Sequence, residues 1–540
     1  MSLLDLAADI VVVGCGSAGS AAAVAAVDRG CSVLVLEKAA AVGGTTSKSG
    51  GAVWIPDNFN LRQQGIEDTE TDCLRYMCRY AFPEAYRADS PTCGVDELSF
   101  ARLRAFYRNG SAMVDRFKAI GALQLVPYLV PGTAVAAADY AARLPENATP
   151  VGRVLWPAYE SAERFGGPSL IAQLTQWLQQ RGASILLNHR VVEVRREDGR
   201  VCGVNAEAGG RRVTVRADKG VIFASGGYAH NRELVGLHQN AFYGSCAAAS
   251  ITGDFIPIAA RVGASMGNLR TAWRAQVVIE EALDDPVLEQ SVFIPPGDAM
   301  ILVNKYGRRV VNEKRNYNDR THAHFYFDPV AADYPNQVLF MIFDRRGIEV
   351  HGGAYPFPRK ADAAPHVVSG ATLAELAVNL EVRLESLAGR IGSVRLVQNF
   401  QAELQGSMAR FNAYARSGVD EEFQRGADSH EAEWMNFFSR VRRGAAVTPP
   451  MPSSTMYPFA ENGPYYAMLL GAGALDTSGG PMIDASARVL DASGAPIPGL
   501  YGAGNCIASP AREAYFGGGA TIGLAMTFGY IAALAASVAP

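Results

Sequence analysis

The glycine-rich segment near the start of the chain constrains the fold more than any other feature. Residues 9–38, DIVVVGCGSAGSAAAVAAVDRGCSVLVLEK, predict a strand, a glycine turn, an alanine-rich helix and a second strand, which is the order of a βαβ unit. Gly14, Gly16 and Gly19 complete the pattern GxGxxG, and Glu37 ends the second strand. Such glycines let the backbone approach a pyrophosphate, and the acid accepts from a ribose. The segment predicts a dinucleotide site in an α/β protein, the alternative being a βαβ unit without a ligand.

Length and composition limit the class of protein. A chain of 540 residues exceeds the ~100–200 residues of an ordinary domain, so we expect at least two domains or one domain with an insertion. Hydrophobic residues make up 49% and charged residues 19%, which is typical of a soluble α/β protein. Because the net charge is -4, we expect no nucleic-acid surface. The eight cysteines form no CxxC pair, so we interpret them as reduced core thiols and assign no metal site.

Both ends of the chain bear on its location in the cell. The first residues, MSLLDLAADIVVVG, show neither a basic segment nor a cleavage-like site, so we expect no export signal and a cytoplasmic protein. The last residues, IGLAMTFGYIAALAASVAP (522–540), are apolar over almost the ~20 residues that a membrane span requires. Because glycines precede this stretch and no basic residues flank it, we favour a buried helix over a transmembrane segment.

Later parts of the chain return to the pattern of the first domain. Residues 166–197 predict a helix and then a strand, residues 198–218 a β-hairpin, and residues 219–231 a buried strand ending in Ser-Gly-Gly. Residues 470–508 are again short apolar strands broken by glycines, whereas residues 280–435 carry more charges. We therefore predict a Rossmann-like domain, with a parallel sheet, helices and a β-hairpin, interrupted by an α+β domain. The predicted limits are 1–279 and 436–540 for the first domain and 280–435 for the inserted domain.

A loop rich in Gly, Ser and Thr, VGGTTSKSGGAVW (42–54), follows the βαβ unit directly. Its backbone N–H groups and hydroxyls suit a phosphate and a flat ring system. With VVVGCGSAGSAA, VIFASGGYAHN (221–231) and GLYGAGNCIA (499–508), this loop resembles the fumarate reductase/succinate dehydrogenase flavoprotein superfamily over nearly the whole chain. The resemblance implies FAD, extended across the first domain.

The same resemblance implies how FAD is held. Members with covalent flavin carry a histidine ahead of the second Gly-Gly pair, where this chain has Gly44 or its threonine neighbours, so the flavin is expected to be non-covalent. The implied cofactor-binding residues are Gly14, Gly16, Ser17, Ala18, Gly19, Glu37, Lys38, Gly43, Gly44, Thr45, Thr46, Ser49, Gly50, Gly51, Val192, Ala224, Ser225, Gly226, Gly504, Asn505, Ala520, Thr521 and Ile522.

Within that superfamily the chain is similar to the 3-ketosteroid Δ1-dehydrogenases. GRRVVNEKRNYND (307–319) matches a segment in which a tyrosine four residues after the glutamate is the catalytic base, which implies Tyr317. REAYFGGGATIG (512–523) matches a Tyr-x-Gly-x-Gly element. In that element the tyrosine hydroxyl and the N–H of the last glycine bind the ketone oxygen, which implies Tyr515 and Gly519.

The family also has a tyrosine that assists the base. ADY (138–140) implies Tyr140, and Tyr128 competes because VPYLVPGTAVAAADY departs from the usual Trp-Pro-Asp-Tyr. Desaturation beside a ketone requires a base, a hydride acceptor, which is flavin N5 in this family, and donors to the enolate oxygen. The resemblance therefore implies an FAD-dependent dehydrogenase that introduces an α,β C=C bond into a cyclic ketone. The favoured substrate is ring A of a 3-ketosteroid, and the electron acceptor is quinone-like.

Three alternatives stay open. Phe516 and Leu524 replace prolines of the steroid-dehydrogenase pattern, so a smaller cyclic ketone such as cyclohexanone is the first. The second is reduction of an enone or of fumarate. Fumarate reductases place a carboxylate-binding arginine where Tyr317 stands, and Arg315 and Arg320 lie close to it in sequence. The third is a flavin-binding protein without turnover, which no sequence feature favours.

Overall fold

A computed structural model gives the fold and describes residues 5–130, 133–158, 165–361, 364–435 and 451–539. The predicted domain boundary at residue 436 lies outside these described residues. The strands are β1 (Asp5–Val13), β2 (Val33–Leu36), β3 (Val53–Trp54), β4 (Leu125–Pro127), β5 (Val154–Pro157), β6 (Ser184–Leu186), β7 (Arg190–Glu197), β8 (Arg200–Ala208), β9 (Arg211–Phe223), β10 (Phe242–Ser245), β11 (Ala272–Val278), β12 (Met300–Val303), β13 (Leu339–Asp344), β14 (Val368–Gly370), β15 (Tyr465–Thr477), β16 (Arg488–Leu490) and β17 (Pro496–Gly502). The labelled helices are α1 (Ser17–Asp28), α2 (Phe59–Gln63), α3 (Glu70–Ala81), α4 (Glu97–Ala119), α5 (Gly167–Gln180), α6 (Arg232–His238), α7 (Phe255–Arg261), α8 (Ile279–Asp284), α9 (Tyr317–Thr321), α10 (Arg345–His351), α11 (Leu373–Ile391), α12 (Phe400–Ser417) and α13 (Ala520–Ser537).

The main sheet is built around β1, as the βαβ pattern predicts. Its strand order is β16-β17-β9-β1-β2-β6, with β8 pairing to β9 and β7 to β8. β1 pairs in parallel with β2 and β9, and β9 pairs in parallel with β17. Residues 10–13, Ile-Val-Val-Val, are fully or almost fully buried, which explains their continuous apolar sequence. The predicted α/β fold with a parallel sheet, helices and a hairpin is confirmed.

The hairpin and the core strand that follows it are one element. The sequence patterns 198–218 and 219–231 suggested a hairpin followed by a separate buried strand, but β9 runs without interruption from Arg211 to Phe223. Its residues 211–216 pair antiparallel with β8, and its residues 214–223 pair in parallel with β1. The hairpin therefore extends directly from the central strand of the main sheet.

Helices α1 and α13 pack closely against each other. A Cβ at Gly529 of α13 would lie 2.2 Å from the carbonyl oxygen of Ala18 in α1, so glycine permits this approach. Among the described helices, α13 alone is long and apolar enough to cross a membrane, and 72% of its 18-residue window is buried inside the protein. The helix begins directly after Gly519, whose φ is +84°.

A second sheet is centred on β15. This strand pairs in parallel with β10 and antiparallel with β11, β13 and β14, and β12 pairs with β13. Apolar residues of α11 and α12, including Leu380 and Leu404, share a core with Phe340 and Ile342 of β13. The strands of this sheet come from residues 242–477, so they extend beyond the predicted insertion on both sides. The domain limits stay a prediction.

A small third sheet lies beside the glycine-rich end of the chain. β5 pairs antiparallel with β3 and β4, and the backbone N–H of Trp54 in β3 donates to the carbonyl of Gly519 at 3.2 Å.

All eight cysteines are free and seven are buried, in agreement with the prediction of reduced core thiols.

Candidate cofactor and active site

A cavity of about 410 Å³ opens at the carboxyl ends of the central parallel strands. Val13, Leu36 and Phe223, the last residues of β1, β2 and β9, line it, and this edge is where open α/β sheets bind ligands. The predicted cofactor residues that line it are Gly14, Gly16, Ser17, Ala18, Glu37, Lys38, Gly44, Thr45, Thr46, Ser49, Gly50, Gly51, Ala224, Ser225, Gly226, Gly504, Asn505, Thr521 and Ile522. The predicted residues that do not line it are Gly19, Gly43, Val192 and Ala520.

The glycine turn after β1 has the geometry that a pyrophosphate requires. Gly14 has a φ of +100°, and a Cβ there would lie 2.5 Å from the carbonyl oxygen of Ala224. A Cβ at Gly19 would lie 1.9 Å from the carbonyl oxygen of Gly14, so this glycine serves the packing of α1 against the turn. Gly16 caps the twelve-residue helix α1 without a side-chain hydrogen bond, and α1 begins at the cavity wall. The turn and the helix N-terminus therefore fit an anionic ligand.

Glu37 is held rigidly at the cavity. Its Oε2 accepts the N–H of Cys15 and its Oε1 accepts the N–H of Ala39, each at 2.8 Å, and the residue is 7% exposed. Each carboxylate oxygen keeps a lone pair for a ribose hydroxyl. In the following loop, Cβ atoms at Gly44 and Gly50 would enter open space, so these glycines leave room at the cavity wall. The backbone donors of the glycine turn, the acceptor oxygens of Glu37 and the open space at the loop fit FAD.

Three tyrosines from distant segments meet in the wall of the same cavity. The Oη of Tyr140 lies 3.3 Å from the Oη of Tyr317, and their ring centroids are 5.7 Å apart. The ring of Tyr515 lies 5.3 Å from each of the other two rings. All three tyrosines line the cavity together with Gly519. The structure therefore brings together the four residues that the sequence analysis assigned to catalysis.

Burial is the largest influence on the pKa values of these three phenols. It raises the pKa of Tyr317 well above its ordinary value, and the nearby phenols of Tyr140 and Tyr515 raise that pKa further because adjacent negative charges repel. Burial likewise raises the pKa of Tyr140. It also raises the pKa of Tyr515, against the opposing effect of hydrogen bonds with Tyr317, Thr521 and the backbone of Gly519. All three phenols are therefore protonated at neutral pH.

A buried carboxylate positions Tyr140. Asp139, the preceding residue, is fully buried and accepts from Trp54 Nε1 at 2.7 Å and from Arg153 at 2.6 Å. The backbone N–H of Tyr140 donates to the carbonyl of Phe516 at 3.0 Å. These contacts connect the loop of Tyr140 with the loop that carries Tyr515.

Tyr128, the competing choice for the assisting tyrosine, has other neighbours. It lines the cavity, but its ring packs on Trp156 at 4.4 Å. Within the described residues no hydrogen bond joins it to Tyr317, whereas Tyr140 is in contact with that phenol. The geometry favours Tyr140.

The two arginines near Tyr317 are used elsewhere. Arg315 forms an ion pair with Asp319 at 3.2 Å. Arg320 is fully buried and donates to the carbonyl of Val292 at 2.6 Å and to the side chain of Gln276 at 2.7 Å. Neither is among the described residues that line the cavity, so neither is placed to bind a substrate carboxylate there.

Sequence reasoning missed much of the cavity wall. These residues come from several strands, a helical segment and loops that are distant in sequence, and they share no motif, so no spacing signal marks them. Burial raises the pKa of one of them, Asp476, to about 6, and its Oδ2 accepts from Asn505 at 3.0 Å. The missed lining residues with aromatic, polar or charged side chains include Lys48, Trp156, Trp273, Phe293, His430, Trp434 and Asp476.

The fold and the site define an FAD-dependent oxidoreductase. The chain belongs to the FAD binding domain family, whose sequence profile matches residues 9–522.

Similar proteins agree with this class. The chain is 30% identical to a 4-oxocyclohexanecarboxylate 2-dehydrogenase of Sinomonas cyclohexanicum, over 97% of this chain and 92% of the relative. It is 30% identical to a 3-oxosteroid 1-dehydrogenase of Mycolicibacterium smegmatis, over 97% and 96% of the two chains. The crystal structure of a 3-ketosteroid Δ1-dehydrogenase from Sterolibacterium denitrificans, in complex with 1,4-androstadiene-3,17-dione, matches with a TM-score of 0.79 and 26% identity, over 98% and 99% of the chains.

Proposed function

We propose that this protein dehydrogenates a cyclic ketone at the carbons α and β to the carbonyl. The observation that carries the proposal is the cluster of Tyr140, Tyr317 and Tyr515 at the wall of the cofactor cavity, with hydroxyl contact between the first two. A tyrosine suits both tasks that such a reaction sets for the protein, because its phenolate removes an acidic proton and its neutral phenol donates to an oxygen.

Tyr515 and Gly519 bind the ketone oxygen in this proposal. The pKa of Tyr515 is raised by burial, so its hydroxyl stays a donor at neutral pH. Gly519 lies at the N-terminus of α13, where backbone N–H groups and the helix dipole favour negative charge. A Cβ at this glycine would lie 2.0 Å from the carbonyl oxygen of Ala52, so no other residue fits there. The two donors stabilise the charge that forms on the substrate oxygen.

Tyr317 removes the proton from the α-carbon, and Tyr140 supports it. The base is the ionised form of Tyr317, and the hydroxyl of Tyr140, 3.3 Å away, donates to its oxygen before the proton is taken. FAD, which the glycine turn, Glu37 and the loop 43–51 would hold without a covalent bond, supplies the hydride acceptor for the β-carbon.

Two substrates have specific support. A 3-ketosteroid is favoured because the solved relative with a TM-score of 0.79 holds a steroid dione, and the cavity presents an aromatic wall that includes Trp156, Phe293 and Trp434. A smaller cyclic ketone is the second candidate because one relative is named for 4-oxocyclohexanecarboxylate. For the reoxidation step we propose a quinone-like acceptor, and for the location the cytoplasm.

Anaerobic stopped-flow mixing tests the proposal. The FAD-loaded enzyme is mixed with androst-4-ene-3,17-dione, with cyclohexanone and with no ketone, and the visible absorbance of the flavin is followed. We expect rapid bleaching by the steroid, and bleaching by cyclohexanone alone would promote the smaller substrate. Tyr515→Phe should slow bleaching by ~10²–10³-fold, whereas Tyr334→Phe, an exposed tyrosine, should not. If no ketone bleaches the flavin, yet fumarate or an enone reoxidises the chemically reduced enzyme, the protein is a reductase and the proposal fails.

A further inference from the structure

His430 is a buried polar residue in the cavity wall that the proposed chemistry does not use. It lies in a helical segment, residues 429–435, and is 4% exposed. Its ring packs against that of Tyr140 in a tilted arrangement, with a centroid distance of 4.6 Å and an interplanar angle of 55°. Tyr140 in turn contacts Tyr515 at 5.3 Å. His430 is therefore separated from the proposed ketone site by one side chain.

The protonation of this imidazole is fixed by its neighbours. The indole N–H of Trp434 donates to the Nδ1 of His430 at 3.0 Å. Because an indole nitrogen only donates, Nδ1 carries no proton in this contact. Burial, aided by the positive charge of Arg315, lowers the pKa of His430 to about 3, so the ring is neutral at pH 7. The single proton of the neutral ring is therefore on Nε2.

This N–H donor has no acceptor within the described part of the chain. The ring of His430 contacts Trp434 and Tyr140, its backbone N–H donates to Asp428, and no described residue accepts from Nε2. Nε2 of His430 is not among the enclosed polar atoms without a partner in the described residues, so it reaches the cavity that His430 lines, where a ligand oxygen can take the place of water as its acceptor.

We propose that His430 Nε2 donates to a second oxygen of the substrate, a neutral carbonyl remote from the reacting ketone. His430 is then a specificity-determining residue, and the substrate class is a cyclic ketone that carries a further uncharged oxygen. The inference rests on the proposed function, because it assumes that the ketone lies at Tyr515 and Gly519.

The surrounding charges favour a neutral oxygen over a carboxylate. Among the described lining residues the only lysine or arginine side chains are Lys38 and Lys48. Lys38 is paired with Asp254 at 2.9 Å, and Lys48 donates to the carbonyl of Leu288 at 3.0 Å. Arg315, whose charge acts on His430 although it does not line the cavity, is paired with Asp319 at 3.2 Å and with Asp428 at 3.5 Å. A carboxylate beside a neutral imidazole would be desolvated without a paired cation, which is unfavourable.

Binding of unreactive phenols tests the donor without turnover. A phenol oxygen mimics the enolate oxygen, so phenol, methyl 4-hydroxybenzoate and 4-hydroxybenzoate differ only in the remote group. Calorimetric titration of the FAD-loaded wild type, His430→Phe and His430→Gln gives the dissociation constants. His430→Phe keeps a ring against Tyr140 and removes the donor, whereas His430→Gln keeps a neutral N–H donor.

We expect His430→Phe to raise the dissociation constant of the ester by about 5- to 10-fold, which is the effect of one hydrogen bond, and that of phenol by less than twofold. His430→Gln should recover most of the loss, and in the wild type the ester should bind more tightly than the acid. A second pair, androst-4-en-3-one and androst-4-ene-3,17-dione, is measured by KM. A loss confined to the dione places the neutral oxygen on the far end of a steroid, and a loss confined to the ester places it near the reacting ring.

Equal effects of His430→Phe on both members of every pair would overturn the proposal, as would tighter binding of the acid than of the ester. The wild-type comparison of acid and ester applies even if a variant fails to fold. Absence of bleaching by any ketone would refute the proposed function instead, and it leaves the phenol titrations to decide on the donor.

Discussion

The substitution Asp139→Asn tests whether a buried ion pair sets the position of Tyr140. The carboxylate of Asp139 accepts from Trp54 at 2.7 Å, from Arg153 at 2.6 Å and from Asn147 at 3.1 Å, and it is fully buried. Asparagine keeps the shape but has one acceptor oxygen and no charge, so at least one donor loses its partner. Each hydrogen bond to a charged group contributes about 1.5–3 kcal/mol.

Arg153 keeps one carboxylate after the substitution, that of Asp68 at 2.7 Å. The guanidinium is therefore not left without a counter-charge, and the loss stays below the ~3–5 kcal/mol of a fully broken buried pair. We expect Asp139→Asn to lower the free energy of unfolding by about 2–3 kcal/mol. Because Tyr140 follows directly and contacts Tyr317 at 3.3 Å, turnover should fall about as far as in Tyr140→Phe.

Urea unfolding of the FAD-loaded protein measures the free energy of unfolding. The turnover rate is measured in the steady state with the ketone that bleaches the flavin. The matched control is Asp115→Asn, because Asp115 pairs with Arg62 at 2.6 Å on the surface and its side chain is 46% exposed. That change should cost less than about 1 kcal/mol. If Asp139→Asn is as mild as the control and turns over at the wild-type rate, the ion pair does not position Tyr140.

Four further predictions concern the base and the cofactor. Tyr317→Phe should lower turnover at least ~10²-fold and leave the FAD content unchanged; a near wild-type rate would remove Tyr317 from the mechanism. Burial and then the neighbouring phenols raise the pKa of Tyr317, so its ionised form is scarce until the pH exceeds the ordinary pKa of a tyrosine. We therefore expect kcat/KM to rise throughout pH 7–10, and a plateau below pH 9 would contradict the assignment of Tyr317 as the base. Glu37→Gln places an amide N–H₂ against the N–H of Cys15 or Ala39, so FAD should dissociate at least ~10-fold more readily, as measured by flavin fluorescence, with unchanged affinity as the opposing result. Heat or acid should release all flavin into a protein-free filtrate, and flavin that stays with the polypeptide would show a covalent bond.

The parts that sequence predicted well are local. Residues 9–38 contain the strand, the turn, the helix and the acid within a single βαβ unit, so their spacing alone determines where they meet. The two motifs around Tyr317 and Tyr515 are equally informative, because the resemblance to the steroid dehydrogenases implies a role for each tyrosine from the sequence alone. The structure places both phenols in one cavity.

The parts that sequence could not predict depend on which distant loops meet. The choice between Tyr128 and Tyr140 follows from the packing of residues 128–130 and 133–140 beside β5, and no local pattern describes that packing. The same holds for His430, which comes from a segment almost 300 residues after Tyr140. The limits of the inserted domain are hard to predict for a different reason. The second sheet takes strands from residues 242–477, and the charge content of the sequence does not show where the first strand of this sheet begins.

In the proposed reaction, the three phenols limit how much negative charge the site holds at once. Burial and mutual repulsion raise the pKa of Tyr317, so ionisation of one phenol makes ionisation of the next harder. One negative charge is therefore shared among oxygens that lie in the same cavity wall. It resides on Tyr317 before the α-proton is removed, where Tyr140 donates to it, and on the ketone oxygen afterwards, where Tyr515 and Gly519 donate to it. Because both positions face hydrogen-bond donors held by buried contacts, the charge moves without reorganisation of water, which lowers the barrier.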